Sequence, residues 1–324
     1  MLSRHFLRTK VLQSLYAYTV SGSGDLGVIE KNFIHNIERL NDLGVTQVST
    51  LLYFFDVAKK SIEDAKTKFR PTKEEMSPNM RLVENRFVLQ LSNNYEFKKA
   101  CERLKINWAD YNNIFRNIYA GFKTTSVYKD YMEAESVDFK ADKDLVLSLY
   151  KYILNYEALA DVFVERNLLW EDDYFQIAQY TYAGLKSMDE NFSVDSPFQL
   201  PYDKRNEQEV QDCDFAIELL KKTILLFDKN TEVIKQNLKQ WEYDRVAMMD
   251  IIILKMAITE FTNFPSIPEK VTINEYIELS IEYSTDKSKL FINGILDKMH
   301  VELRSQGLIK KSGRGLLDEN FMDE

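Results

Sequence analysis

Apolar residues recur at three- and four-residue steps through most of the chain, the period at which one face of an α-helix is buried. Leu7, Val11 and Leu15, joined by Leu12 and Tyr18, predict a helix over 3–20. The same period predicts helices over 25–41, 45–68, 80–91, 95–105, 108–121, 124–134, 142–168 and 171–186, then over 207–227 and 231–241. The last third is more sharply punctuated. Ala247, Met248, Ile251, Leu254 and Ile258 mark one face of a helix that reaches Glu260, and Pro265 and Pro268 end it, because proline lacks an amide donor and restricts the residue before it. Thr272-Ile273-Asn274-Glu275 reads as a capping box, the hydroxyl serving an orphan amide while the glutamate reaches back. Ile273, Ile277 and Ile281 form the stripe that follows. Ser284-Thr285-Asp286 reads as the turn and cap before a last helix, Lys287 to about Leu303, with Phe291, Ile295 and Met299 spaced by four. Gly294 inside it costs about 1 kcal/mol against alanine, and close packing against another helix would account for its presence.

Period-2 alternation bounded by turn residues is hard to find, so the predicted fold class is all-α, a helical bundle. Ser21-Gly22-Ser23-Gly24 breaks the chain after the first helix, and Pro71, Pro78 and the loop from Ser193 to Asp203 separate later groups. The expected organisation is an N-terminal helical domain over 1–228, with 25–205 as an extended or inserted region. A C-terminal bundle follows over 229–308, then a flexible tail over 309–324. With 324 residues, 45% hydrophobic and 13% aromatic, the chain can bury a large core. Aromatics such as Tyr150, Tyr152, Tyr174 and Phe175 fall at helical spacing and read as core rather than as a base-stacking platform.

Charge narrows the functional classes. A net charge of −9 opposes bulk, nonspecific nucleic-acid binding, which needs a broad basic surface, but leaves room for a local patch. Arg4, His5, Arg8 and Lys10 all precede the first acid, Asp25, and crowd the start of a helix whose dipole disfavours cations. Either an external anion compensates them or they form an ordinary solvated helix start. Cys101 and Cys213 form no paired motif, and the three histidines fall into no ligand spacing. Glu171-Asp172-Asp173 is explained by the positive end of the helix that follows. No catalytic residues, metal site or cofactor are therefore expected, and a cytoplasmic binding protein without a membrane span is. Lys310-Lys311-Ser312-Gly313-Arg314 and the acids after Leu317 read as a solubilising end.

Two stretches carry a family resemblance. Ile273-Asn274-Glu275-Tyr276-Ile277-Glu278-Leu279 and, about ten residues later, Phe291-Ile292-Asn293-Gly294-Ile295-Leu296-Asp297-Lys298 resemble the C-terminal half of NusB, a family of small all-helical transcription antitermination factors. Arg4, Arg8 and Gln13-Ser14-Leu15-Tyr16 resemble its first helix, although His5 and Phe6 stand where that family can carry arginine. The region 25–205 has no counterpart in compact members. The resemblance implies a protein that binds boxA-type single-stranded RNA together with NusE, a ribosomal protein, in the transcription elongation complex of ribosomal RNA operons. It implies RNA contacts from Arg4, Arg8, Lys10, Lys287, Lys289 and Phe291, and NusE contacts from Tyr16 and Asp250. Phe291 can equally be a core residue, Tyr16 a buried ring and Asp250 an exposed helix charge. The alternatives are a helical scaffold protein or the NusB-like module of an RNA-modification system.

Overall fold

The computed structural model describes residues 2–22, 24–238, 243–285 and 287–316. Ser23 of the expected break, residues 239–241 of the expected helix, Asp286 and the acidic stretch from Leu317 on lie outside the described residues. Among the described residues every regular element is helical. In chain order they are α1 (Arg4–Ser21), α2 (Leu26–Lys66), α3 (Lys73–Met76), α4 (Arg86–Asn93), α5 (Tyr95–Arg103), α6 (Asn112–Phe122) and α7 (Ser126–Glu133). Then follow α8 (Phe139–Leu154), α9 (Glu157–Arg166), α10 (Tyr174–Ser187), α11 (Glu207–Leu225), α12 (Phe227–Asn237), α13 (Met248–Asn263), α14 (Glu269–Tyr283) and α15 (Ser288–Ser305). No helix is long and apolar enough to cross a membrane among these residues.

The chain divides into two compact units, one of Ile37–Asp203 and one of Leu2–Asn36 with the described residues from Lys204 onward. The boundary expected at 228 falls between α11 and α12, both in the second unit, where α11 packs on α1 and α13 and α12 packs on α13 and α15.

Within the first unit, the expected break near residue 42 does not occur. Gly44 sits inside an unbroken α2, where a Cβ would lie 2.9 Å from both Thr181 and Pro201 side-chain atoms. It is a packing glycine that lets the loop close onto the helix. Asn41 fixes the same loop, donating to the Tyr202 carbonyl at 2.7 Å and accepting from its amide at 2.8 Å. Conversely, the predicted helix over 142–168 splits at Asn155 and Tyr156 into α8 and α9. Tyr150 and Tyr174 are buried, as core aromatics should be, whereas Phe175 is 59% exposed.

The second unit is built around α13, which is buried on every side from Asp250 to Phe261 and not on one face as its spacing suggested. It packs against α1, α11, α12, α14 and α15. Burial on all sides brings Asp250, Lys255, Thr259 and Glu260 into the core along with the apolar residues. Each must then find a partner, because an unpaired polar group away from water is costly. This explains the orientation of α14. The predicted Ile273–Ile277–Ile281 stripe is not its buried face: Thr272, Tyr276, Leu279 and Ser280 face inward and Ile281 is exposed. Thr272 lies inside the helix, which starts at Glu269, so there is no capping box here. Its hydroxyl donates to Glu260 instead, at 3.0 Å.

Two further expectations change. A Cβ on Gly294 would meet nothing within 4 Å, so packing does not explain this glycine. The first part of the tail is docked rather than loose. Lys311 Nζ donates to the Phe264 carbonyl at 3.2 Å, the Ser312 amide donates to the Pro265 carbonyl at 3.0 Å, and Gly315 approaches that same carbonyl too closely for any side chain.

Candidate nucleic-acid interface

The start of α1 enters the second unit as a row of cations that the fold itself consumes. Arg8 is 1% exposed. Its Nε and one terminal nitrogen donate to the two oxygens of Glu260 at 2.8 and 2.9 Å, and its other terminal nitrogen lies 3.2 Å from Glu275. Glu260, itself fully buried, also accepts from Thr272 and from the Tyr276 hydroxyl, each at 3.0 Å. Every lone pair of that carboxylate is directed at a donor, which is what a buried charge requires. Burial alone would lower the Arg8 pKa, but the adjacent Glu260 overrides it and holds the guanidinium charged. Burial and the neighbouring Glu260 carboxylate push the Tyr276 phenol up.

Arg4 is more open, with 43% of its side chain exposed, and its Nε donates to Asp212 on α11 at 2.7 Å. Both guanidinium carbons lie 5.0 Å from the Phe215 ring centroid, so one aromatic ring of α11 receives both cations. Lys10 is 8% exposed, donates to Gln13 at 2.8 Å and lies over the Phe6 ring. His5 bonds Glu275 at 2.9 Å and Glu282 at 3.2 Å, with Glu278 at 3.7 Å. The Glu275 hydrogen bond is the largest influence on the imidazole and raises its pKa against the opposing effect of burial. Burial pushes the Glu275 carboxyl up, but the hydrogen bond from His5 and the charge of Arg8 outweigh it and hold it below its usual range.

The expected cationic corner on α1 is therefore corrected. Arg8 is internal because the carboxylates of α13 and α14 and the ring of α11 hold it there, Lys10 is buried against Gln13 and Phe6 of its own helix, and neither reaches solvent as a phosphate contact would. Only Arg4 keeps an open edge.

The start of α15 differs. Lys287 and Lys289 are exposed and have no ion-pair partner among the described residues. Leu290 is 79% exposed, and Phe291 is half-buried, intermediate between the two readings given above. Asp250 fixes this turn. It is 4% exposed and accepts from Ser284 Oγ at 2.6 Å and Ser288 Oγ at 2.9 Å, tying the first turn of α13 to the entry of α15. It is thus neither an exposed helix charge nor a surface contact. Tyr16 remains at the surface, 43% exposed. Lys298 donates to the Asn237 carbonyl at 2.6 Å and so closes the end of α12 rather than pairing with an acid.

The two helix starts are linked through α14. His5 reaches Glu282, and Lys287 follows Glu282 five positions later in the chain. Their Cα atoms are therefore at most about 18 Å apart. Sequence reasoning missed Glu260, Asp212 and Phe215. A carboxylate alone in the apolar run from Ile251 to Phe261 was the available signal, since such a charge demands a buried cation.

The comparisons with known proteins converge on one family. The family model described as NusB matches residues 174–301. The chain is 37% identical over 111 residues to the transcription antitermination protein NusB of Salinibacter ruber, a match covering 34% of this chain and 69% of that one. It is 40% identical over 105 residues to the protein of the same description from Chloroherpeton thalassium, covering 32% of this chain and 50% of the other. The counterpart from Finegoldia magna is 39% identical over 103 residues, covering 29% and 75% respectively. No solved structure matches the chain significantly. Most of Ile37–Asp203 thus falls outside the family match, while α11 to α15 fall within it almost completely, and the chain belongs to the NusB family of transcription antitermination proteins.

Proposed function

We propose that this chain binds boxA-type single-stranded RNA together with the ribosomal protein NusE, within the elongation complex that transcribes ribosomal RNA operons, and that the start of α15 is its principal RNA contact. The observation that carries the reading is the pair of exposed cations Lys287 and Lys289, which have no ion-pair partner among the described residues, beside half-buried Phe291. Single strands are held by cations on the phosphates and by an aromatic face under a base. Arg4 contributes the open edge of its guanidinium. Arg8 and Lys10 act by holding α1 in place, and Asp250 acts by fixing the turn from which Lys287 projects. Tyr16 is the surface residue assigned to NusE.

Gel-shift titration of a boxA-type oligomer, with and without NusE and at two salt concentrations, tests the proposal. Lys287→Glu with Lys289→Glu is expected to weaken binding about tenfold or more and to flatten the salt dependence, which for so small a footprint corresponds to a few charges. Phe291→Ala should weaken binding without altering the salt slope. Tyr16→Ala should reduce NusE binding measured without RNA. Unchanged RNA affinity in the double lysine variant would refute the assignment of α15.

A further inference from the structure

The unit Ile37–Asp203, which lies mostly outside the family match, carries a surface that its own packing leaves unexplained. Leu168 is 72% exposed, Leu169 is 58% exposed and Phe175 is 59% exposed. The three lie within eight residues of one another in sequence, and ring contacts through the buried Phe163 and Tyr174 tie Trp170, next to Leu169, to Phe175: Trp170 to Phe163 at 6.1 Å, Phe163 to Tyr174 at 5.0 Å and Tyr174 to Phe175 at 5.1 Å. Large side chains clustered in water at this level usually mark a contact surface. In the same stretch, Asn167 Nδ2 and Trp170 Nε1 are buried donors with no acceptor among the described residues. Such groups are costly to leave unsatisfied, and each calls for an explanation.

The charge around this patch has one sign. Between Asn155 and Gln176 the chain holds six carboxylates and a single cation, Arg166. That cation is committed elsewhere: it stacks over Trp108 at 4.1 Å and donates to the Asn107 carbonyl at 2.6 Å. Glu157, Asp161 and Glu165 are exposed on α9 at four-residue steps, which places them in one row on one helix face. Glu171 is exposed just beyond Leu169. None of these four carboxylates has an ion-pair partner among the described residues. Helix electrostatics explain Glu171, close to the start of α10, and Glu157, in the first turn of α9, but not Asp161 or Glu165 further along that helix.

We infer that the face formed by α9, Leu168, Leu169 and Phe175 docks a lysine- and arginine-rich protein segment that also carries apolar anchors. The apolar side chains would cover Leu168, Leu169 and Phe175, and the cations would meet the row Glu157–Asp161–Glu165. Interfaces of this kind combine a few buried anchors with a charged rim that sets orientation and on-rate. The polyanionic backbone of a nucleic acid is excluded as the occupant by the same carboxylates. This inference is independent of the RNA contact assigned to α15.

The test uses the full chain and a fluorescein-labelled helical peptide of lysine and leucine, with its leucine-to-serine and lysine-to-glutamate counterparts, read by fluorescence anisotropy. The lysine–leucine peptide is expected to bind and the other two to bind weakly or not at all. Glu157→Gln with Asp161→Asn and Glu165→Gln should weaken binding about tenfold, and so should Leu168→Ser with Leu169→Ser. Asp130→Asn with Glu133→Gln and Glu135→Gln, three exposed acids of the same unit, should leave it within about twofold. If the paired leucine variant melts early, Leu168→Ser alone serves in its place. Equal weakening by the control triple, or equal binding of the lysine–serine peptide, would reduce the effect to general acidity and overturn the inference. So would a concentration-dependent dimer in sedimentation that Leu168→Ser with Leu169→Ser abolishes, because the face would then be covered by a second copy of the chain.

Discussion

Arg8 of α1 and Glu260 of α13 form a two-pronged ion pair inside the helical bundle, 252 residues apart in sequence. The pair is completed by Thr272 and Tyr276, so removing the cation alone strands a fully buried carboxylate. Arg8→Ala is expected to destabilise the Leu2–Asn36 and Lys204-onward unit by about 3–5 kcal/mol. That far exceeds the loss of one exposed phosphate contact. Chemical unfolding followed beside RNA titration separates the two effects: RNA affinity should fall only as the folded fraction falls. An Arg8→Ala protein with parental stability and lost RNA binding would return Arg8 to the RNA surface.

His5 makes the packing of α1 on α14 sensitive to pH. Its pKa is raised from 6.5, chiefly by the hydrogen bond to Glu275. A group whose pKa rises on folding contributes stability that is complete below its unfolded value and is lost as pH climbs through its folded value. The start of α1 should therefore loosen as pH rises above 6.5, and His5→Ala should remove that dependence. Amide hydrogen exchange in the first turns of α1, corrected for intrinsic rates, measures it. The same pH dependence in parent and variant would contradict the assignment.

Lys255 works in the opposite direction. It is 2% exposed, with Nζ 3.1 Å from the centre of the Phe227 ring, and burial lowers its pKa to about 8 despite the nearby Asp228. Folding costs it proton affinity, so the native state gains stability as pH rises from about 8 toward the ordinary lysine value of 10.5. Lys255→Met keeps the volume and removes the buried charge. It should stabilise the protein by about 1 kcal/mol near neutral pH and abolish the alkaline rise. Unfolding curves at pH 7 and 9.5 decide the matter, and destabilisation at both would show that the cation–ring contact outweighs the burial of charge.

The helical class was legible because period 3.6 dominates the chain, and the α15 motif was legible because its residues are specific. The partners were not. Spacing placed one buried face on α13, but burial of its full circumference follows from the five helices packed around it, which no local pattern records. For the same reason Ile273, Ile277 and Ile281 looked like the inner stripe of α14, when the demand of Glu260 for donors turned Thr272 and Tyr276 inward instead. The expected helices over 25–41 and 45–68 leave a gap that contains Gly44, yet α2 runs unbroken through it. The glycine is there for the close approach of Pro201, which lies 157 residues away in the chain. Arg4 and Arg8 stood out correctly as cations without local acids, but their carboxylates sit on α11 and α13.

Gly294 separates stability from function in α15. It occupies a helix interior, where glycine is unfavourable, and an added Cβ would meet nothing in the protein. Gly294→Ala is therefore expected to stabilise the helix by up to about 1 kcal/mol. Gly294 is three residues after Phe291, which places the two on neighbouring positions of one helix surface. If RNA approaches the backbone there, the added methyl group obstructs it. The expected outcome is a higher unfolding midpoint with RNA affinity reduced several-fold, in contrast to Phe291→Ala, which should weaken RNA binding without the gain in stability. A Gly294→Ala protein that gains stability and binds RNA as the parent does would show that the strand does not cross this face of α15, and would restrict the contact to the first turn at Lys287 and Lys289.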